Sequence, residues 1–125
     1  MKNKLLIFIS ILFFSSISWA AVDGNPVFTS CDAVTSTGAC TSGRVSNIAS
    51  RITYSVVVSG APSAVTLNLE GSIDNISWFT LDTSTTTTSE MRHIANRGVH
   101  YVRGNLATLT GGSSPTVTVK ISAGE

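Results

Sequence analysis

The sequence predicts an all-β protein: a single antiparallel β-sandwich, jelly-roll-like, of six to eight short strands behind a cleaved signal peptide. Three observations predict it. Apolar and polar residues alternate with period two in stretches rich in Val, Ile and Thr, the mark of half-buried strands. Turn signals recur about every ten residues, as in sandwiches and barrels. No segment after residue 20 carries an apolar stripe at helical spacing.

The first element is a leader. Lys2 and Lys4 give a positive start, Leu5–Phe14 is an apolar run broken only by Ser10, and Ser18-Trp19-Ala20 places small residues three and one before the cut at Ala21. That is the three-part pattern of a secretory signal. The run is shorter than the roughly 20 apolar residues a helix needs to span a bilayer. Cleavage after Ala20 is therefore expected over an uncleaved anchor. No cysteine stands at the cut, so a lipid anchor of the bacterial kind is not expected. The address is secreted or periplasmic, with no membrane span after cleavage.

Removal of residues 1–20 leaves 105 residues, enough for one domain with one core. Residues 21–50 form its cysteine-bearing N-terminal segment, and residues 51–125 its main body. Six basic residues face seven acidic ones in this part, without a basic cluster. Nucleic acid is excluded as a partner on that ground, because phosphate binding needs clustered cations.

The strands follow in order. Ile52, Tyr54, Val56 and Val58 form one apolar face, and Val65, Leu67 and Leu69 a second. Ser59–Ser63 turns between them. Phe79 and Leu81 flank Thr80 in a shorter strand. Met91–Ile94 and Tyr101–Leu106 are the next two, and Val117, Val119 and Ile121 mark the last. Asp74-Asn75 reads as a tight hairpin turn, because both residues tolerate positive φ. Gly111–Pro115 reads as a flexible hairpin end. Thr83–Ser89 either extends the preceding strand or loops out. Outward positions carry Thr, Ser and Asn more than Lys and Glu, which suits lateral packing or sugar contact.

Cys31 and Cys40 lie in the exported part. In an oxidising compartment such a pair forms a disulfide. A metal pair is the alternative, but neither His nor further Cys lies nearby to complete four ligands. No metal and no cofactor is expected.

Catalysis has little support. His93 and His100 stand seven apart, on what reads as the two strands of one hairpin, and no Gly-x-Ser-x-Gly turn is present. Glu70 and Asp74 are the only close carboxylate pair, and an outward strand residue plus a turn residue explains them. The chain is read as a non-enzyme. Ligand-binding candidates are Trp78, Asp74, Asn75 and Arg103. Ser72, Asp74, Asn75 and Ser77 could offer oxygens to calcium, but a plain Asx turn explains them better. Asn75-Ile76-Ser77 is also a glycosylation sequon. Trp78 reads more readily as a core plug than as an exposed stacking ring, and Arg103 as the partner of a carboxylate such as Glu70.

The run LEGSIDNISWFTL followed by HYVRGNL resembles the second half of discoidin domains, the galactose-binding-like sandwiches. With Leu109–Val119 it is also similar to small sandwich modules of phage and other virion surface proteins. Together these resemblances cover about residues 52–121. The first implies glycan or membrane-surface adhesion through end loops; the second implies a repeated structural or decoration subunit. The expected function is a surface binding or structural module. The partners this implies are a glycan, another surface protein, or further copies of the chain.

Overall fold

The computed structural model describes residues 27–45 and 51–124. The leader and its cleavage site lie outside these residues. Nine strands are described: β1 (Val27–Val34), β2 (Gly38–Ala39), β3 (Gly43–Arg44), β4 (Arg51–Ser59), β5 (Ala64–Ser72), β6 (Phe79–Ser84), β7 (Glu90–Ala95), β8 (Tyr101–Thr110) and β9 (Thr116–Gly124). Two of them, β2 and β3, are only two residues long, and the seven longer ones fall within the expected range. They form two antiparallel sheets. The first runs β1-β9-β4-β7; the second runs β2-β8-β5-β6, with β3 sharing the free side of β8.

The period-two faces meet between the sheets as expected. Ile52, Tyr54 and Val56 of β4 and Val117, Val119 and Ile121 of β9 are fully buried on one side. Leu67 and Leu69 of β5, with Val102 and Leu106 of β8, oppose them. Fully burying each Leu, Ile or Val contributes about 1.5–3 kcal/mol as an upper estimate. Register holds the pattern, since a slip of one residue would turn each apolar face to water.

The hairpin end expected at Gly111–Pro115 is a crossover between sheets instead, and so is the turn at residues 60–63. Gly111–Pro115 joins β8 of the second sheet to β9 of the first, and residues 60–63 join β4 to β5 in the opposite sense. The two turns interlock: Ser113 donates its amide to the Gly60 carbonyl at 2.8 Å. Gly60 and Gly112 have φ of 79° and 76°. A Cβ on Gly112 would stand 2.2 Å from the Gly60 oxygen, so both positive φ and close approach require glycine there. Likewise His93 lies on β7 in the first sheet, whereas His100 precedes β8 in the second. The histidines therefore do not share a hairpin. Ile94 and Val99 pack on the core from opposite sides of that connection.

Asp74-Asn75 does close a true hairpin, since β5 pairs with β6. Of the two, only Asn75 takes positive φ, at 61°. Thr83–Ser89 is divided: Thr83 and Ser84 finish β6, and the rest is loop.

The disulfide Cys31–Cys40 is formed, with its Cα atoms 5.1 Å apart. It ties β1 of the first sheet to the segment following β2 of the second. Gly104 of β8 faces it, and a Cβ there would lie 2.9 Å from the Cys31 sulfur. Ser30 completes the seam. Its hydroxyl donates to the Thr41 carbonyl at 2.7 Å and accepts the Gly104 amide at 2.8 Å.

Candidate functional site

The four candidate residues separate into two neighbouring groups. Asp74 and Asn75 build the tip of the β5–β6 hairpin. Asp74 Oδ1 accepts the Ser77 amide at 2.8 Å, the Ile76 amide at 2.9 Å and the Ser72 hydroxyl at 2.9 Å. The backbone amides of Ser77 and Ile76 hold its carboxyl down at about 2, because they stabilise the charged form. The Asn75 amide donates to Ser72 Oγ at 2.9 Å, and Asn75 Oδ1 accepts from Ser42 Oγ at 3.1 Å. This is an Asx turn, with Asp74 Oδ1, Ser72 Oγ and Asn75 Oδ1 engaged inside the protein. Among the described residues no three His, Cys, Asp or Glu side chains come together as metal ligands.

Trp78 and Arg103 form the second group. Trp78 is not the core plug the sequence favours. It is half-buried on the outer face of the second sheet, with the Arg103 guanidinium carbon 4.1 Å from its ring centroid. The reason is parity. Leu81 packs against the core and Phe79 stands opposite inward-facing Gly71, so Trp78, one residue earlier, falls on the other face. The alternation Phe79-Thr80-Leu81 carries that signal. Arg103 pairs with Glu70 as expected, its Nε donating to Oε2 at 2.7 Å. Asn105 Nδ2 donates to the other carboxylate oxygen at 2.8 Å. Glu70 is thereby nearly buried on an outward face.

Around the hairpin tip the surface is unusually apolar. Ile73 is 69% exposed, Ile76 81% and Phe79 69%. A groove of about 210 Å³ is lined by Ile73 and Phe79 together with Gly71, Leu81 and Val99. A larger and more polar groove, about 490 Å³, follows the disulfide loop past Thr29, Asp32 and Ser36.

One cluster escapes sequence reasoning. Between the edges of β6 and β7, Asp82 Oδ2 accepts from the Tyr54 hydroxyl and from Arg92 Nε, each at 2.9 Å. Arg92 Nη2 reaches Asp82 Oδ1 at 3.1 Å. Bonding to Arg92 lowers the Asp82 pKa; burial, followed by the bond to Asp82, raises that of Tyr54. A β-bulge produces the meeting. Leu69 stands opposite Asp82 while Glu70 stands opposite Thr80, so Leu81 is the extra residue and Asp82 is turned inward. No single-sequence pattern marks that bulge.

Three of the free edges, β1, β6 and β7, are guarded. The pairing of β1 carries two register shifts and that of β6 one. On β7, Glu90 and Arg92 stand opposite inward-facing Val56 and Tyr54. Bulges and inward charges both discourage edge-to-edge pairing.

No family model matches the chain, and no curated protein matches it. Its fold is similar to that in the crystal structure of SPBc2 prophage-derived protein YomS, with a TM-score of 0.55. The match covers 80% of this chain and 93% of that one, at 14% sequence identity. The likeness is one of architecture: a small β domain of two packed antiparallel sheets.

Proposed function

We propose that the chain is an exported, non-enzymatic structural subunit of a virion or other surface assembly, joined to its neighbours through the apolar end of the sandwich. The observation that carries this reading is the exposure of Ile73, Ile76 and Phe79 on one hairpin. Large apolar side chains clustered in water mark interaction surfaces. The backbone beneath them is held by Asp74, so little ordering cost opposes docking. The architecture shared with a prophage-derived protein supports the structural-subunit reading, and the guarded edges favour contact by this end over strand pairing.

Size-exclusion chromatography with light scattering tests it. The purified protein associates as its concentration rises, and Ile76→Ser with Phe79→Ser weakens association at least about tenfold. A wild-type protein that stays monomeric at the highest attainable concentration overturns the reading. The exported address is checked separately: the N-terminal residue of the protein recovered outside the cytoplasm is Ala21.

A further inference from the structure

The outer face of the second sheet holds a polar arrangement that the docking end does not use. Three strands contribute in register. Asn68 of β5 stands between Asn105 of β8 and Thr83 of β6, and Glu70 stands opposite Arg103. Adjacent strands lie about 4.8 Å apart, so these side chains form a flat patch about 10 Å wide. Trp78 lies over Arg103 at its edge.

The bonding within the patch is directional. Thr83 Oγ1 donates to Asn68 Oδ1 at 2.9 Å, which leaves the Asn68 amide hydrogens free to donate. Asn105 donates its amide to Glu70, which leaves its Oδ1 free to accept. Arg103 uses Nε on Glu70, and no hydrogen bond among the described residues uses its terminal nitrogens. Among the described residues, the Arg103 donors thus sit at the aromatic ring, and the free Asn68 donors and Asn105 acceptor lie two residues further along β5 and β8 on the same face, each side chain fixed by a second bond.

Charge narrows the ligand. The Glu70 carboxylate neutralises Arg103 at 2.7 Å, so an anion gains little attraction over the patch. No free carboxylate is offered to a cation either, because both Glu70 oxygens are occupied. What suits such a surface is a neutral molecule with many hydroxyls and a flat C–H face. Its hydroxyls take the amide and guanidinium groups, and its C–H face stacks on an indole whose other side is already held by Arg103.

We infer that this sheet face, with Trp78 as stacking ring and Arg103, Asn68 and Asn105 as hydroxyl partners, binds a neutral hexopyranose chain. The site is independent of the docking end, whose apolar residues take no part in it. Packing by Arg103 holds the ring before any ligand arrives, which limits the entropy lost on binding.

Calorimetric titration of the purified full chain with cellohexaose, chitohexaose, maltohexaose and inorganic phosphate tests the inference. At least one of the three oligosaccharides binds at millimolar concentration or below, and phosphate does not. Trp78→Ala weakens that binding at least about tenfold, as loss of an aromatic anchor does. Asn68→Ala, a surface change that leaves the core intact, weakens it by a smaller factor. The sugar-induced change in tryptophan emission disappears in Trp78→Phe. Ile76→Ser leaves sugar affinity unchanged, which separates this site from subunit docking. Failure of all three sugars to bind, binding of phosphate in their place, or unchanged sugar affinity in Trp78→Ala overturns the inference.

Discussion

The two long flanks of the sandwich are closed by opposite chemistry. On the β1 flank the sheets are joined covalently by Cys31–Cys40, with Ser30 and Gly104 fitted around the sulfurs. On the β6–β7 flank they are joined by Tyr54, Asp82 and Arg92, through three hydrogen bonds of 2.9–3.1 Å. A sandwich of two small sheets leaves both flanks open to water unless something spans them. The covalent flank responds to redox conditions and ignores pH; the polar flank does the reverse. The comparison shows how one core can be stabilised by two devices that fail under different conditions.

The largest expected effect lies on the covalent flank. Replacing both cysteines, Cys31→Ser with Cys40→Ser, frees a short loop in the unfolded chain and costs about 2.6 kcal/mol on the loop-entropy estimate. For a domain of this size the melting temperature falls by roughly 10–20 °C. Thermal melts with and without reductant check it; an unchanged midpoint would mean the flank is held by packing alone.

Next comes the polar flank. Asp82→Ala leaves the fully buried Tyr54 without its acceptor and costs about 1–3 kcal/mol, whereas Tyr54→Phe removes one hydrogen bond and costs about 1 kcal/mol. Urea unfolding of the two variants and their double mutant measures the coupling. Additive losses would show that the two residues act separately.

The smallest effect is the pH response. Asp82 and Asp74 have lowered pKa values in the folded protein, Asp74 down to about 2. Such groups contribute stability that is present above the unfolded value of about 4 and is lost as pH falls through the folded one. Stability therefore declines between about pH 4 and pH 2. Asp82→Asn makes that decline shallower, while the cysteine pair of serines leaves its slope unchanged. Equal slopes in wild type and Asp82→Asn would break the contrast between flanks.

Much of this architecture is legible in the amino-acid sequence. Ile52, Tyr54, Val56, Leu67, Leu69, Val117, Val119 and Ile121 declare their burial by alternation, because a strand can turn only every second side chain inward. Asp74 and Asn75 declare a turn through their short side chains. The cysteine pair declares a disulfide once an oxidising compartment is assumed. The Glu70–Arg103 pair is also within reach. Trp78 reads as core and lies outside it, although the parity of Phe79 and Leu81 points to the outer face. Asp82 and Arg92 give no local signal, since their meeting depends on a bulge and on two strands from different sheets.

The sequence by itself determined the strands from β4 to β9, the core faces of β4, β5 and β9, the hairpin at Asp74-Asn75 and the cysteine clamp, because each depends on neighbours a few residues apart. Only the tertiary structure decided which strands share a sheet and that Gly60 and Gly112 cross between sheets. It also decided that Trp78 meets the Arg103 guanidinium and that Tyr54 finds Asp82. Those outcomes rest on contacts between distant segments, whose pairing is selected by how the whole core packs.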